Sequence, residues 1–225
     1  QHSHQLSAQG GTEKVQYYVS GSYMDQQGTL IGSNFTRFSV RTNLDAQLKK
    51  WLKLGLNVSY ANTKDDLKLA DGTEGVIMYS LTSLPDIPVY DIDGNWSTVI
   101  REGQGSTKNP VALAMMNSNI LKRQKLTGNV FAEITPIKHL TFRTEFSADA
   151  NFSTAERYRP KIDLGAYKQD QNSISVQKNN NFFWQLKNYL TYSNTFGKHS
   201  FSGMIGQEMW ESKWNYLSGS STGLT

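Results

Sequence analysis

The sequence predicts an all-β fold: a transmembrane, antiparallel, up-and-down β-barrel segment of about eight strands. Three observations support this prediction. Long runs of residues alternate between apolar and polar, the connections between the runs alternate between short and long, and aromatic residues lie near both ends of the runs. All three features are expected of a chain that crosses a bilayer as β-strands, because one face of every strand contacts lipid and the other face does not.

Alternation is clearest in the segment 35–61, where two apolar–polar runs flank a polar turn. Successive side chains of a strand point to opposite faces, so each run has one apolar face and one polar face. Each run has roughly the ten residues that a tilted strand needs to cross a bilayer. The segment therefore predicts an antiparallel hairpin within a membrane.

The connections between the predicted strands are sorted by length. They run to about five, ten, four, sixty, five, twenty-eight and five residues in chain order. Outer-membrane barrels have tight periplasmic turns and long extracellular loops, whereas a soluble sandwich has no reason to sort its connections in this way. The eight predicted strands are 1–10, 15–25, 35–47, 51–63, 122–134, 139–152, 181–194 and 200–213.

The longest connection is an extracellular loop insert at about 63–121, and it contains two predicted short helices. The first covers 75–84 and ends before Pro85, because a residue that precedes proline is pushed out of helical geometry. The second covers 111–117, where Asn109 is the capping residue and Pro110 the first helical residue. A connection of this length with its own helices is expected to be ordered.

Two aromatic residues of the insert, Tyr90 and Trp96, are candidate contact residues. Aromatic rings suit the apolar faces of sugars, so both side chains are candidates for contacting cargo or a partner protein that covers the barrel. The competing interpretation is that they pack the loop against itself. Replacing Trp96 with alanine would separate these interpretations.

Aromatic residues near the strand ends predict two girdles at the membrane surfaces, although aromatic residues are also common in soluble sheets. The predicted girdle at the loop ends contains Tyr23, Phe38, Tyr60, Phe152, Phe182, Trp184 and Trp210, and the girdle at the turn ends contains Trp51, Phe142 and Phe201. Each short turn also holds a lysine, which is explained equally well by interfacial anchoring and by ordinary solvation.

The polar rows carry charged residues that would line the barrel lumen. Centring the hairpins on their turns puts Asp45 opposite Lys53 and Lys125 opposite Asp149, with Leu44 and Leu54 toward lipid. A two-residue shift would keep this facing, whereas a one-residue shift would invert it. We expect these charges mainly to pair with one another along the wall, and secondarily to contact substrate or a plug. The predicted lumen-facing residues are Arg37, Arg41, Asp45, Lys53, Lys125, Glu133, Arg143, Glu145 and Asp149.

Composition narrows the function classes. The net charge is only +4, and the basic residues are dispersed, which argues against nucleic acid as a partner. Cysteine is absent, which excludes disulfides and thiolate chemistry. The DIDGN stretch lacks the spacing of a calcium loop, the four histidines are scattered, and nucleotide and hydrolase motifs are missing. We therefore expect no catalytic residue, metal or cofactor.

Several motifs occur in the order found in one family of membrane proteins. They are GGTEK, then YYVSGSYxDQxG, then FxRxSxRxNLDA and WLKLGxNxSY, followed by LPDIPVYDIDGNW, NPVALAMMNSN and GQE at 206–208. With these motifs the chain, from Ser7 to about Gln207, resembles the barrel of the SusC/RagA family of TonB-linked outer-membrane proteins. The family's signal peptide, TonB box, plug domain and most of its roughly 22 strands have no counterpart in this sequence, so we expect an internal barrel fragment.

The resemblance implies the function of the intact protein. It implies part of a TonB-dependent importer in the outer membrane of a Gram-negative, Bacteroidetes-type bacterium. Such an importer takes up a glycan, an oligosaccharide or a peptide. The implied partners are a SusD-like surface lipoprotein, TonB (through the plug), outer-membrane lipid and the nutrient cargo. Two alternatives remain: a self-contained small barrel that acts as a porin or adhesin, since eight strands can close alone, and an outer-membrane hydrolase.

Overall fold

The chain forms one large antiparallel sheet with helical and hairpin loops at one end. The computed structural model describes residues 1–67, 75–97, 108–164 and 167–224. Eight long strands pair in the order β1-β2-β3-β4-β5-β6-β9-β10. Each long strand therefore pairs with the next long strand along the chain, and β7 and β8 form a small separate hairpin between β6 and β9. This confirms the predicted up-and-down meander. The strands are β1 (His2–Gly11), β2 (Val15–Gln27), β3 (Asn34–Lys49), β4 (Leu52–Asp66), β5 (Ser118–Ile137), β6 (Leu140–Arg159), β7 (Ile162–Leu164), β8 (Tyr167–Gln169), β9 (Ser173–Phe196) and β10 (His199–Thr222).

Both predicted helices are present, and each spans seven residues. They are α1 (Val76–Thr82) and α2 (Pro110–Met116). The Asn109 side chain accepts a hydrogen bond from the backbone N–H of Ala112 at 3.1 Å, so Asn109 caps α2 as predicted. Among the residues described, no helix combines the length and the hydropathy needed to cross a membrane.

The strands at the loop end are longer than predicted. β5 begins at Ser118 and β6 runs to Arg159, so the insert shrinks to 67–117. β9 begins at Ser173, so the next connection covers 160–172 rather than 153–180, and it contains the β7–β8 hairpin. The added strand residues mix apolar and charged side chains on one face, for example Ile120 beside Glu156 and Val176. Such a face shows no regular alternation, so the sequence pattern does not reveal these strand ends.

The strand register gives the sheet one apolar face, called here the outer face. Across neighbouring strands Leu44 lies opposite Leu56, Leu56 opposite Val130, and Val130 opposite Phe146. Large side chains on this face remain well exposed, for example 47% for Val130 and 41% for Phe146. An apolar face without a covering layer needs a surrounding that is not water.

The predicted facing is correct, although two pairs are shifted by two residues. Asp45 lies opposite Gly55, because the register shifts between Gln47 and Lys49 next to the turn. Lys125 lies opposite Asn151. A shift of two residues preserves the facing of every side chain, so Leu44 and Leu54 still share the outer face.

The well-packed apolar clusters lie among the loops rather than in the sheet. Val76 of α1 packs with Leu113 and Ala114 of α2, and Leu30 of the β2–β3 loop lies against them. Ala112 packs with Ile162 of the β7–β8 hairpin, and Trp96 and Met116 lie against this second cluster. Three different connections are thus held together at one end of the sheet.

Candidate functional site

The nine charged residues expected in the lumen share one face of the sheet, the side opposite the outer face and called here the polar face. Each has an odd residue number, and the register pairs odd-numbered residues with one another across β3, β4, β5 and β6. The residues so placed are Arg37, Arg41, Asp45, Lys53, Lys125, Glu133, Arg143, Glu145 and Asp149.

Arg143 organises a cluster at the turn end of the polar face. Its guanidinium contacts Glu145 at 2.9 Å and Glu133 at 3.5 Å. The same guanidinium lies over the ring of Phe131, with 3.9 Å between its central carbon and the ring centroid. A planar guanidinium can pair with carboxylates at its edge while it stacks on an aromatic ring. The cluster therefore holds β5 to β6 with a cation at its centre.

Phe131 is an aromatic residue in an otherwise polar row, and sequence analysis missed its role. Its ring lies on Gly55, directly opposite on β4, so closely that a Cβ at Gly55 would collide with it. Phe131 is only 8% exposed. A glycine inside a strand marks a close approach of this kind, and a glycine in the polar row was the available sequence signal.

Nearby polar residues also engage one another. Asp149 accepts a hydrogen bond from the Thr127 hydroxyl at 2.9 Å and pairs with Lys125 at 3.2 Å. Asp45 pairs with Lys53 at 3.5 Å. These contacts are the mutual pairing expected for a charged wall.

Two arginines depart from this pattern. Within the described ranges, Arg37 and Arg41 form no ion pair. Arg41 lines a shallow groove on the polar face together with Asn43, Asn57, Ser59, Thr127 and Asn129. Amide, hydroxyl and guanidinium groups at one place can bind oxygen-rich ligands or a neighbouring polypeptide.

A second aromatic group lies on the polar face of β9 and β10. Trp210 faces Gln185, and its ring centroid is 6.3 Å from that of Phe183. Further along β10, the rings of Trp214 and Tyr216 stack at 5.9 Å. The expectation that Trp210 belongs to a lipid-facing girdle was therefore wrong. In β10 the aromatic residues near the loop end have even residue numbers, and the register pairs these residues with the polar-face residues of β9.

The insert residues Tyr90 and Trp96 form one small structure. Their rings stack at 4.8 Å across an isolated β-bridge. The Asp91 carboxylate closes the turn between them by accepting the backbone N–H groups of Asp93 and Asn95. Trp96 is half-buried against Ala112 and Ile162, whereas Tyr90 is 53% exposed. Trp96 is thus mainly a packing residue, and Tyr90 keeps an accessible ring face.

Comparison with known proteins identifies the family. No protein-family model matches the sequence. The chain is 31% identical over 209 residues to TonB-dependent receptor P3 of Formosa agariphila, which covers 90% of this chain and 20% of that protein. It is 24% identical over 231 residues to TonB-dependent receptor SusC of Bacteroides thetaiotaomicron, covering 91% of this chain and 22% of SusC. The chain belongs to the TonB-dependent receptors of the SusC/RagA family.

Solved structures give the same fold for this TonB-dependent receptor segment. A structure of the RagAB peptide transporter superposes with a TM-score of 0.79 at 23% identity, covering 99% of this chain and 25% of that one. The ferripyoverdine receptor of the outer membrane of Pseudomonas aeruginosa superposes with a TM-score of 0.60 at 15% identity, covering 96% of this chain and 26% of that one. The segment thus spans about a fifth to a quarter of the proteins it matches, and its open sheet is part of a larger barrel wall.

Proposed function

We propose that this chain forms part of the wall of an outer-membrane, TonB-dependent importer of nutrients in a Bacteroidetes-type bacterium. The difference in polarity between the two faces of the sheet is the main support for this proposal. The outer face is apolar and exposed, which suits lipid, and the polar face is joined by ion pairs around Arg143, which suits a filled, aqueous lumen. The short turns then lie in the periplasm, and the insert lies outside the cell.

The proposed cargo is a glycan, an oligosaccharide or a peptide, and the proposed partners are a SusD-like surface lipoprotein and TonB. One relative is named SusC, and one structural neighbour is named a peptide transporter. The aromatic group on the polar face supports a cargo with apolar surfaces. Trp210 and Trp214 lie on the polar face opposite the amide side chains of Gln185 and Asn181 on β9. Rings with neighbouring amides suit sugar rings and peptides alike.

The two alternatives gain less support. A self-contained barrel would join β1 to β10, but in the part of the chain that the structure describes β1 pairs with β2 alone and β10 with β9 alone. A hydrolase would need a free carboxylate pair or a nucleophile with its base. On the polar face Glu133, Glu145 and Asp149 are all engaged by cations, and the relatives are named as receptors and transporters.

Deleting TonB tests the proposal in the organism that carries the intact receptor. Growth on the nutrient that requires this receptor should be lost, because a plugged barrel needs energy from the inner membrane. Growth on a small sugar that enters through porins should not change. Unchanged growth on the receptor-dependent nutrient would contradict an energised importer and favour a passive pore.

A further inference from the structure

A row of lysines crosses the outer face just beyond its apolar part. Lys64 on β4 lies opposite Lys122 on β5, and Thr154 on β6 separates Lys122 from Lys178 on β9. We call Lys64, Lys122 and Lys178 the lysine row. One step toward the turns, the same face carries Phe152 among amide side chains. The next step carries apolar residues on β3, β4, β5, β6 and β9. The lysine row therefore follows the loop-side edge of the continuous apolar surface, beyond which Ile120 and Val176 alternate with carboxylates.

The electrostatics of the lysine row are unfavourable without a counter-charge. Like charges directly opposite on neighbouring strands destabilise a sheet, and Lys64 and Lys122 stand in that relation. One step farther toward the loops, the outer face carries Asp66 on β4 and Glu156 on β6. Glu156 contacts Lys122 at 3.4 Å, and both of these side chains remain about half exposed. Elsewhere in the described ranges, Lys64 and Lys178 have no ion-pair partner. The three ammonium groups of the lysine row thus outnumber the two carboxylates beside them.

We propose that the lysine row binds phosphate-bearing headgroups of lipids in the outer leaflet of the outer membrane. Ammonium groups at the edge of an apolar surface attract anionic lipid headgroups, and lysine stems can lie along apolar surface while the charge stays at the interface. On the same face, Phe152 lies one step below the row and Phe182 lies two steps below it, and they are 46% and 41% exposed. They provide the surface against which acyl chains of the same lipid would lie.

The combination of charge and apolar surface favours a lipid over a free anion. A free phosphate would gain only the lysines, which are exposed and screened by salt. An anionic lipid gains both the lysines and the aromatic surface beneath them. The inference rests on the membrane orientation proposed above. It does not depend on the cargo or on energy coupling, so binding can be measured whether or not the import test succeeds.

Titration with lipid A tests the inference on the intact receptor. The receptor is purified in neutral detergent, and bound lipid A carrying two phosphates is counted by native mass spectrometry. The test protein replaces the lysine row with glutamine, and a matched control replaces three lysines in different short turns. The test substitutions are Lys64→Gln, Lys122→Gln and Lys178→Gln, and the control substitutions are Lys14→Gln, Lys50→Gln and Lys198→Gln.

A specific loss of affinity is expected. Each lysine near an anionic lipid surface contributes roughly a fivefold factor, so the triple change should lower lipid A affinity by roughly a hundredfold at low salt. The turn control should stay within about twofold of wild type. Glu156→Gln should raise the affinity a few fold, because it frees Lys122 from its ion pair.

Three results would overturn the inference. Equal losses in the two triple variants would show a general effect of net charge. Competition by inorganic phosphate at the same concentration as lipid A would show that the row binds a free anion rather than a lipid. Unchanged or weaker binding by Glu156→Gln would show that Lys122 is not a ligand. If the triple variant fails to fold, as judged by its heat-dependent gel mobility, Lys178→Gln and Glu156→Gln carry the test.

Discussion

Gly55→Ala tests the packing that holds the polar face together near the short turns. The ring of Phe131 covers Gly55, and a new Cβ would collide with that ring. The ring would have to leave its position, and it would then lose both its burial and its contact with the Arg143 guanidinium at 3.9 Å. The substitution thus perturbs Phe131 through one added methyl group.

The magnitude follows from two opposing contributions. Burial of a phenylalanine side chain contributes roughly 1.5–3 kcal/mol, and the cation–π contact adds about 0.5–1 kcal/mol. Alanine in a strand interior is favoured over glycine by about 0.5–1 kcal/mol. Since Phe131 is only 8% exposed, displacing its ring would lose most of the free energy gained by its burial. Gly55→Ala should destabilise the barrel by about 1–3 kcal/mol.

A double-mutant cycle separates the collision from other effects. The unfolding rates of wild type, Gly55→Ala, Phe131→Ala and the double variant are measured in urea, on the intact receptor in lipid vesicles. Gly55→Ala should unfold roughly fivefold to 150-fold faster than wild type, whereas adding it to Phe131→Ala should have no effect or slow unfolding. The reasoning is refuted if Gly55→Ala accelerates unfolding equally in both backgrounds, or in neither.

Two further predictions concern aromatic residues outside this cluster. Trp96→Ala should lower local stability by about 1–2 kcal/mol, because the contacts of the half-buried ring with Ala112 and Ile162 are lost. Faster hydrogen exchange of the α2 amides would confirm this, whereas unchanged exchange together with weaker lipoprotein binding would favour partner contact instead. Trp210→Ala combined with Trp214→Ala should weaken cargo binding by about 1–3 kcal/mol, which is roughly fivefold to 150-fold in affinity. Trp51→Ala, in a short turn, is the control. Equal losses of affinity in both variants, measured by isothermal titration calorimetry, would contradict a role of the inner aromatic group in binding.

Alternation predicted the fold because an amphipathic strand requires apolar and polar residues to alternate along the sequence. The hairpin of β3 and β4 shows this: its apolar residues, such as Leu44 and Leu54, share a face, and its charges share the other. Asn109 and Pro110 predicted the start of α2 equally well, since a cap is a local interaction between neighbouring residues. These features depend on residues close in sequence or on a period of two.

The parts that sequence did not reveal depend on contacts between distant strands. Phe131 is an apolar residue in a polar row, and its role depends on contacts with Gly55 and Arg143, which lie on neighbouring strands. The facing of Trp210 depends on the register set by the turn between β9 and β10, where Gly197 adopts a positive φ of 61°. The outer parts of β5 and β6 were missed because apolar and charged residues share one face there, as Ile120 and Glu156 do, which leaves no regular alternation to detect.

The length of the strands places the proposed contacts with lipid, cargo and partner at different heights of the wall. β6 has 20 residues, so it is about 66 Å long at roughly 3.3 Å per residue. Tilted by about 45°, it rises roughly 47 Å, whereas the apolar band of an outer-membrane barrel is about 25 Å tall. Roughly 20 Å of the sheet therefore projects beyond the band, and the short turns place this excess on the loop side. The projecting wall carries Trp214 on its polar face and Lys178 on its outer face, and the insert packs on the loops above it.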